Sequence, residues 1–176
     1  GFVDITEPRA PKPGGIVRID GEPTSLVVRG GKVYAGVNTS PSKAAPSGKL
    51  IVIDIASRTV ERACDLGGQP DSLAISHDKA TIAIAIENER DEELNEGALP
   101  QMPAGNLKIV PVSDAELACD SIKTVDLTGL AGVAPEDPEP EFVAFNAAGE
   151  IAVTLQENNH IAIVDAASGE VTSHFP

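Results

Sequence analysis

The sequence has little cysteine and few aromatic residues: two cysteines, one tyrosine, four phenylalanines and no tryptophan in 176 residues. Two cysteines are too few for a small domain held together by disulfides, and Cys64 and Cys119 lack metal-site spacing. No apolar run is long enough to span a bilayer, and the start lacks the basic and apolar segments of a secretion signal. The length is sufficient for one domain with a substantial core.

Positive charge is also scarce, with 13 Lys and Arg against 27 Asp and Glu, a net charge of −14. Nucleic acids and anionic membranes need a basic surface, so this balance argues against both as partners. It permits cations and cationic ligands. An alternative explanation is that the acidic residues keep a secreted or salt-exposed protein soluble.

Short apolar runs rich in Ile and Val, separated by polar turn residues, repeat in the same order along the chain. Three units open alike, at Pro23–Leu26, Pro70–Leu73 and Pro140–Val143. Their third runs also align, at Leu50–Asp54, Leu107–Pro111 and Ile161–Asp165. Such runs are typical of strands, and four strands per unit of about 40 residues or more is the arithmetic of propeller blades.

We therefore predict an all-β fold, a β-propeller fragment of about three complete four-stranded antiparallel blades plus half a preceding blade. The predicted boundaries are a blade remnant at 1–20 and blades at 22–66, 69–129 and 137–176. In the remnant, the Pro-rich piece 10–14 is predicted to be a connection and Gly15–Ile19 a strand. A β-sandwich would explain the strands but not their repeated order.

Both ends of the sequence resemble the middle of a β-structure, since Gly1 leads directly into a strand and Phe175 follows one. We expect a fragment of a longer mature protein. A partial propeller leaves the flanks of its outer blades uncovered. We therefore expect association with the missing blades of its own chain or with a second copy.

Several stretches of the second and third units combine short apolar runs with loops rich in Gln, Asn, Pro and acidic residues: Gln69–Ser72, Ala85–Glu92, Pro100–Gly105, Thr124–Leu130, Pro135–Glu141 and Leu155–Asp165. These stretches resemble secreted bacterial propellers of the phytase-like and esterase-like phytase family. The related choice-of-anchor propellers share the repeat style. The resemblance implies a secreted or periplasmic protein and a phosphoric monoester hydrolase of the phytase type, assisted by calcium.

No catalytic residue of that family is matched in this sequence, and no dense cluster of Lys and Arg is present to hold a polyphosphate. The alternative function is therefore a non-enzymatic propeller that binds a protein, a polymer or a surface ligand. Calcium-dependent hydrolysis of a phosphate ester by the full-length protein distinguishes the two.

Loops that follow the second strand of a blade, and loops that lead into the next blade, emerge on one face of a propeller. That face collects most of the carboxylates, including Asp71, Glu141 and Glu157. Hard cations such as calcium take six to eight oxygen ligands from such groups. Two loops supply the predicted metal ligands: Glu87, Glu89, Asp91, Glu136, Asp137 and Glu139. The alternative is a solvated acidic rim without a specific site.

Arg90 lies inside the acidic loop. Its planar guanidinium could bind a substrate phosphate or carboxylate through two hydrogen bonds, which makes it the candidate substrate-binding residue. It could instead pair with a neighbouring glutamate and hold the loop in shape. Ser25 and Ser72 occupy equivalent repeat positions without the flanking glycines of a nucleophile elbow, so both are interpreted as hydrogen-bonding residues at strand starts.

The cysteines and histidines are widely spaced. We expect no Cys64–Cys119 bond, because the two lie toward opposite ends of strands about 20 Å long, whereas a disulfide needs Cα atoms within about 7 Å. A secreted context and a connection over 113–121 that folds back along the edge would favour the bond. His77, His160 and His174 have no ligand spacing, which indicates surface or packing roles.

Overall fold

The computed structural model describes residues 1–114 and 116–176 and consists of antiparallel β-sheets. A two-stranded sheet pairs β1 (Phe2–Asp4) with β2 (Lys12–Gly15). The predicted strand at Gly15–Ile19 is wrong in position, because β2 lies earlier and includes Pro13. Proline is tolerated there since this sheet has only two strands, so each strand needs backbone donors on one side only.

Three four-stranded sheets follow, each with its strands hydrogen-bonded in chain order. The first blade contains β3 (Glu22–Arg29), β4 (Lys32–Asn38), β5 (Gly48–Asp54) and β6 (Thr59–Asp65). The second contains β7 (Pro70–Ile75), β8 (Thr81–Ile86), β9 (Asn106–Pro111) and β10 (Lys123–Asp126). The third contains β11 (Pro140–Phe145), β12 (Glu150–Leu155), β13 (His160–Asp165) and β14 (Val171–Phe175). This architecture confirms the predicted propeller fragment.

Helical structure in the described residues is confined to two short 3-10 turns, Leu94–Gly97 and Cys119–Ser121. Neither forms a helix of the length and apolarity that crossing a bilayer requires, and no other described residue belongs to a helix. The strand hairpins close through tight turns instead. In the first hairpin Gly30 and Gly31 have φ values of +56° and +78°, which side-chain-bearing residues rarely adopt.

The core lies between the blades, and β8 shows why. Successive side chains of a strand point to opposite faces. Ile82, Ile84 and Ile86 pack against the first blade, while Ala83 and Ala85 pack against the third. All five are fully buried. The second blade is thus apolar on both faces, and the small alanines leave room for the larger side chains of the third.

A disulfide joins Cys64 of β6 to Cys119, which lies on the connection between β9 and β10, with a Cα–Cα distance of 5.3 Å. The expectation of no bond is therefore wrong. The connection leaves the second blade and packs across the outer edge of the first. Leu117 is buried in the core between the two blades, and Arg29 of the first blade donates a hydrogen bond to the Ser113 carbonyl. The position of Cys119 is set by this crossing and not by the end of its neighbouring strand.

Candidate functional site

Two buried asparagines shape the loops on the acidic face. Asn88, which follows β8, accepts a hydrogen bond from the Gln69 backbone N–H at 2.9 Å and donates to the carbonyls of Pro103 and Ala104. Asn158, which follows β12, accepts from the Glu139 N–H at 2.9 Å and donates to three carbonyls of residues 133–137. Each asparagine therefore binds the residue that leads into its own blade, Gln69 or Glu139, and also holds a loop segment, 103–104 or 133–137.

Arg90 lies at the junction of the second and third blades, with only 14% of its side chain exposed. Its Nε donates to Asp137 Oδ2 at 3.3 Å, a terminal nitrogen donates to the Asp137 carbonyl at 2.6 Å, and the other lies 3.3 Å from Glu139 Oε2. The Arg90 backbone N–H donates to Glu139 Oε1 at 2.7 Å. The guanidinium is thus engaged by two carboxylates that are almost completely buried.

Gln101 completes this network. Its backbone N–H donates to Asp137 Oδ2 at 2.8 Å, and its side chain exchanges two 2.8 Å hydrogen bonds with the backbone of Asp91. The acidic loop is therefore tied at Arg90 and Asp91 to the segment that leads into the third blade. This geometry corresponds to the loop-shaping alternative for Arg90, with partners from the next blade instead of from its own loop.

The predicted metal ligands lie in different environments. Asp137 and Glu139 face Arg90, Glu89 pairs with Lys43 at 2.6 Å, and Asp91 Oδ1 accepts a hydrogen bond from the Glu93 N–H. Glu136 is exposed, and Glu87 is half-buried. Among residues 1–114 and 116–176, no group of three or more His, Cys, Asp or Glu side chains is arranged closely enough to hold a metal ion.

A cleft of about 380 Å³ opens beside the Arg90 network. Its carboxylates come from both loops and from the starts of neighbouring elements: Glu87, Glu89, Glu92, Glu139, Glu141 and Glu157. Lys43 and Arg90 also line it. The structure thus gathers Glu87, Glu89 and Glu139 of the predicted ligands and leaves Asp91, Glu136 and Asp137 outside the lining. Glu92, Glu141 and Glu157 also line the cleft. The loop positions in the sequence place Glu141 and Glu157 on this face without naming them as ligands.

Glu87 is the most perturbed acid of the cleft. Burial raises the pKa of its carboxyl to about 7, with further contributions from the negative charges of Asp71, Glu141, Glu89 and Glu139. Burial also raises the pKa of Asp71 and of Glu141. The Gln69 side-chain amide lies 3.4 Å from Glu87 as a weak donor. The cleft therefore contains more negative charge than its own cations balance.

We expect the Glu87→Gln variant to gain stability relative to wild type as pH rises. Because the folded-state pKa of Glu87 is raised from 4.5 to about 7, the folded protein binds more protons than the unfolded chain between these values, and this group lowers stability with rising pH. Urea unfolding at several pH values measures the difference. It should grow between pH 4.5 and pH 7 and level off above. A difference that does not change with pH would contradict the raised pKa.

The other candidate residues have structural partners. Ser25 Oγ accepts a hydrogen bond from the Leu73 N–H at 3.0 Å, which links the first strands of two blades as a hydrogen-bonding residue would. Ser72 is buried. His160 and His174 are widely spaced in the sequence, but the structure brings them together. Their ring nitrogens lie 2.9 Å apart on the paired strands β13 and β14.

Comparison of the chain with protein families identifies the choice-of-anchor I domain, whose model matches residues 1–134 and 123–176. The chain belongs to the choice-of-anchor I family. Membership in this family indicates a cell-surface or extracellular protein. A search of curated protein sequences finds no match.

Solved structures, two of them β-propeller domains, are similar in fold to this choice-of-anchor I chain. The β-propeller domain of Myceliophteria thermophila Cps50 has 16% identity, a TM-score of 0.57 and coverage of 89% of this chain and 41% of its own. The propeller domain of the Pyrococcus furiosus trilobed protease has 12% identity and a TM-score of 0.53, and the match covers 89% of this chain and 43% of that one. Kuenenia stuttgartiensis hydrazine synthase has 15% identity and a TM-score of 0.54, and the match covers 81% of this chain and 39% of that one. The chain spans about two fifths of the length of these three structures.

Proposed function

We propose that this chain is part of a secreted or periplasmic propeller that binds calcium in its acidic cleft and binds a further ligand there. The observation that carries the proposal is the cleft itself, in which six glutamates from two blades and their connecting loops line one space. Calcium prefers carboxylate and carbonyl oxygens, and neither histidine nor cysteine is among the residues that line the cleft.

Crowding of the carboxylates supports a cation in preference to an anion. Glu87 lies near four other acidic groups that raise its pKa beyond the effect of burial. Lys43 is paired with Glu89, and Arg90 is paired with Asp137 and Glu139, so both cations of the cleft already have anionic partners. A divalent cation would relieve the remaining repulsion. Glu87, Glu92, Glu141 and Glu157 line the cleft without an ion pair among the described residues, so these glutamates are the proposed contacts. They are not grouped closely enough to share an ion as they stand, so calcium would have to draw them together.

The second candidate function is phosphoester hydrolysis of the phytase type, which the sequence resemblance supports. A phosphate group would meet net negative charge in this cleft. Its binding therefore depends on calcium, which would supply the positive charge that the paired Lys43 and Arg90 do not. If the ligand is instead an anionic polymer or protein without phosphate, its binding also depends on calcium.

The partners proposed for the chain are the remaining blades of its own propeller or a second copy. Apolar side chains are exposed on the first strands of the two outer blades, among them Leu26 and Val28 on β3 and Phe142 on β11. Solved propellers of this fold are more than twice as long as the matched region, so further blades would cover such surfaces.

We expect calorimetry to detect calcium binding by the wild-type protein and a heat reduced to near background for the Glu87→Gln/Glu141→Gln variant. Glu136→Gln, which removes one exposed carboxylate outside the cleft, is the matched control and should bind as wild type does. Equal heats from all three proteins, or no heat at millimolar calcium, would reject the calcium proposal.

Hydrolysis requires a separate measurement. The full-length protein with and without calcium is assayed on a chromogenic phosphate ester. Calcium-dependent turnover that disappears in Glu87→Gln/Glu141→Gln supports the hydrolase. Calcium binding without turnover supports the non-enzymatic ligand-binding function.

A further inference from the structure

The third blade contains two histidines whose side chains converge outside the acidic cleft. His160 begins β13 and is 8% exposed, whereas His174 lies on β14 and is exposed. In the register of these strands His174 stands opposite Ala162, two residues along from His160. Residues two apart share a face of a strand, so both rings lie on one face, and the small Ala162 leaves space for His174 to lean toward His160.

Each ring directs one nitrogen at the other. His160 Nε2 and His174 Nδ1 are 2.9 Å apart, with ring centroids separated by 5.2 Å and planes inclined by 42°. In the neutral pair one of these nitrogens donates a proton and the other accepts it. A metal ion that replaces this proton would be bound by both nitrogens once each ring tilts to direct its lone pair to one side of the line that joins them.

The separation favours particular metals. With metal–nitrogen distances of about 2.0–2.1 Å, nitrogens 2.9 Å apart subtend about 90° at a shared ion. That is the angle between neighbouring ligands of tetragonal copper(II) or nickel(II). A tetrahedral zinc ion needs nitrogens about 3.3 Å apart, so it would require the rings to separate.

We propose that His160 and His174 form a two-histidine binding site for copper(II) or nickel(II) on the third blade. A cleft of about 530 Å³ adjoins His160 and is also lined by Asp71, Glu141 and Gln156. His174 is exposed, so water can reach the pair and complete the coordination. Among the described residues, no third His, Cys, Asp or Glu side chain is grouped with the pair. The ion is therefore exchangeable, and the net charge of −14 raises its local concentration.

Copper(II) titration of the wild-type protein, followed by calorimetry and electron paramagnetic resonance, tests this site. We expect one ion with hyperfine structure from two nitrogens. His160→Gln and His174→Gln should each weaken binding about tenfold or more and remove the two-nitrogen signal. His77→Gln changes the only other histidine, which lies on an exposed turn, and should bind as wild type does.

Excess calcium separates this site from the acidic cleft, since a hard cation competes for carboxylates but not for imidazoles. Copper binding that persists in calcium supports the histidine site. Three results would overturn the site: no copper binding by wild type, loss of copper binding in excess calcium, or unchanged copper binding by both histidine variants. Circular dichroism of the two variants identifies any loss of folding, and the two-nitrogen signal of wild type decides the case independently of them.

Discussion

Arg90→Ala should destabilise the protein by about 3–5 kcal/mol at neutral pH, because breaking a buried ion pair leaves its partner charges uncompensated. Asp137 and Glu139 are 1% and 2% exposed, and Arg90 is the cation that both contact. Removing the guanidinium also removes the hydrogen bond to the Asp137 carbonyl. Chemical denaturation monitored by circular dichroism measures the change as a lower unfolding midpoint.

Lys43→Ala is the matched control for Arg90→Ala. Lys43 makes an ion pair with Glu89 in the same region, but both side chains are almost half exposed, so its loss should cost about 0–1 kcal/mol. A pH series gives an independent check. Burial already raises the pKa of Glu139, and loss of Arg90 would raise it further, so the penalty should decrease as pH falls toward 4.5. Equal costs for the two variants would show that the Arg90 network does not stabilise the fold.

Reduction of the Cys64–Cys119 disulfide should destabilise the protein by about 4 kcal/mol. The bond closes a loop across 55 residues, and the chain-entropy relation gives about that value for the constraint it places on the unfolded state. Reduced wild type and the Cys64→Ala/Cys119→Ala variant should both unfold at lower denaturant concentration than oxidised wild type. The variant should lose slightly more, because Cys64 is buried and its sulfur leaves a small cavity.

A reducing agent provides the control for this prediction. It should lower the unfolding midpoint of wild type and leave the double variant unchanged, since the variant has no cysteines. The connection should stay partly docked in both, because Leu117 remains packed between the first two blades. Wild type with the same midpoint before and after reduction would contradict the assigned role of the disulfide.

The acidic loops show how far the sequence leads toward the site. Their composition and the repeat predicted that carboxylates of two blades meet on one face, and Glu87, Glu89 and Glu139 do line one cleft. The same reasoning treated Asp137 as a free ligand. It is instead buried against Arg90, 47 positions earlier in the chain, and composition carries no information about such a pairing.

The sequence by itself determined the strands of the three complete blades, their order and the propeller architecture. These follow from short apolar runs, such as the one within Lys32–Asn38, and from turn residues such as Gly30 and Gly31, and both are local properties. Tertiary structure alone decided the Cys64–Cys119 bond, the partners of Arg90 and the meeting of His160 with His174. Each joins residues separated by connections whose paths depend on packing between or within blades, and no periodicity of the chain encodes those paths.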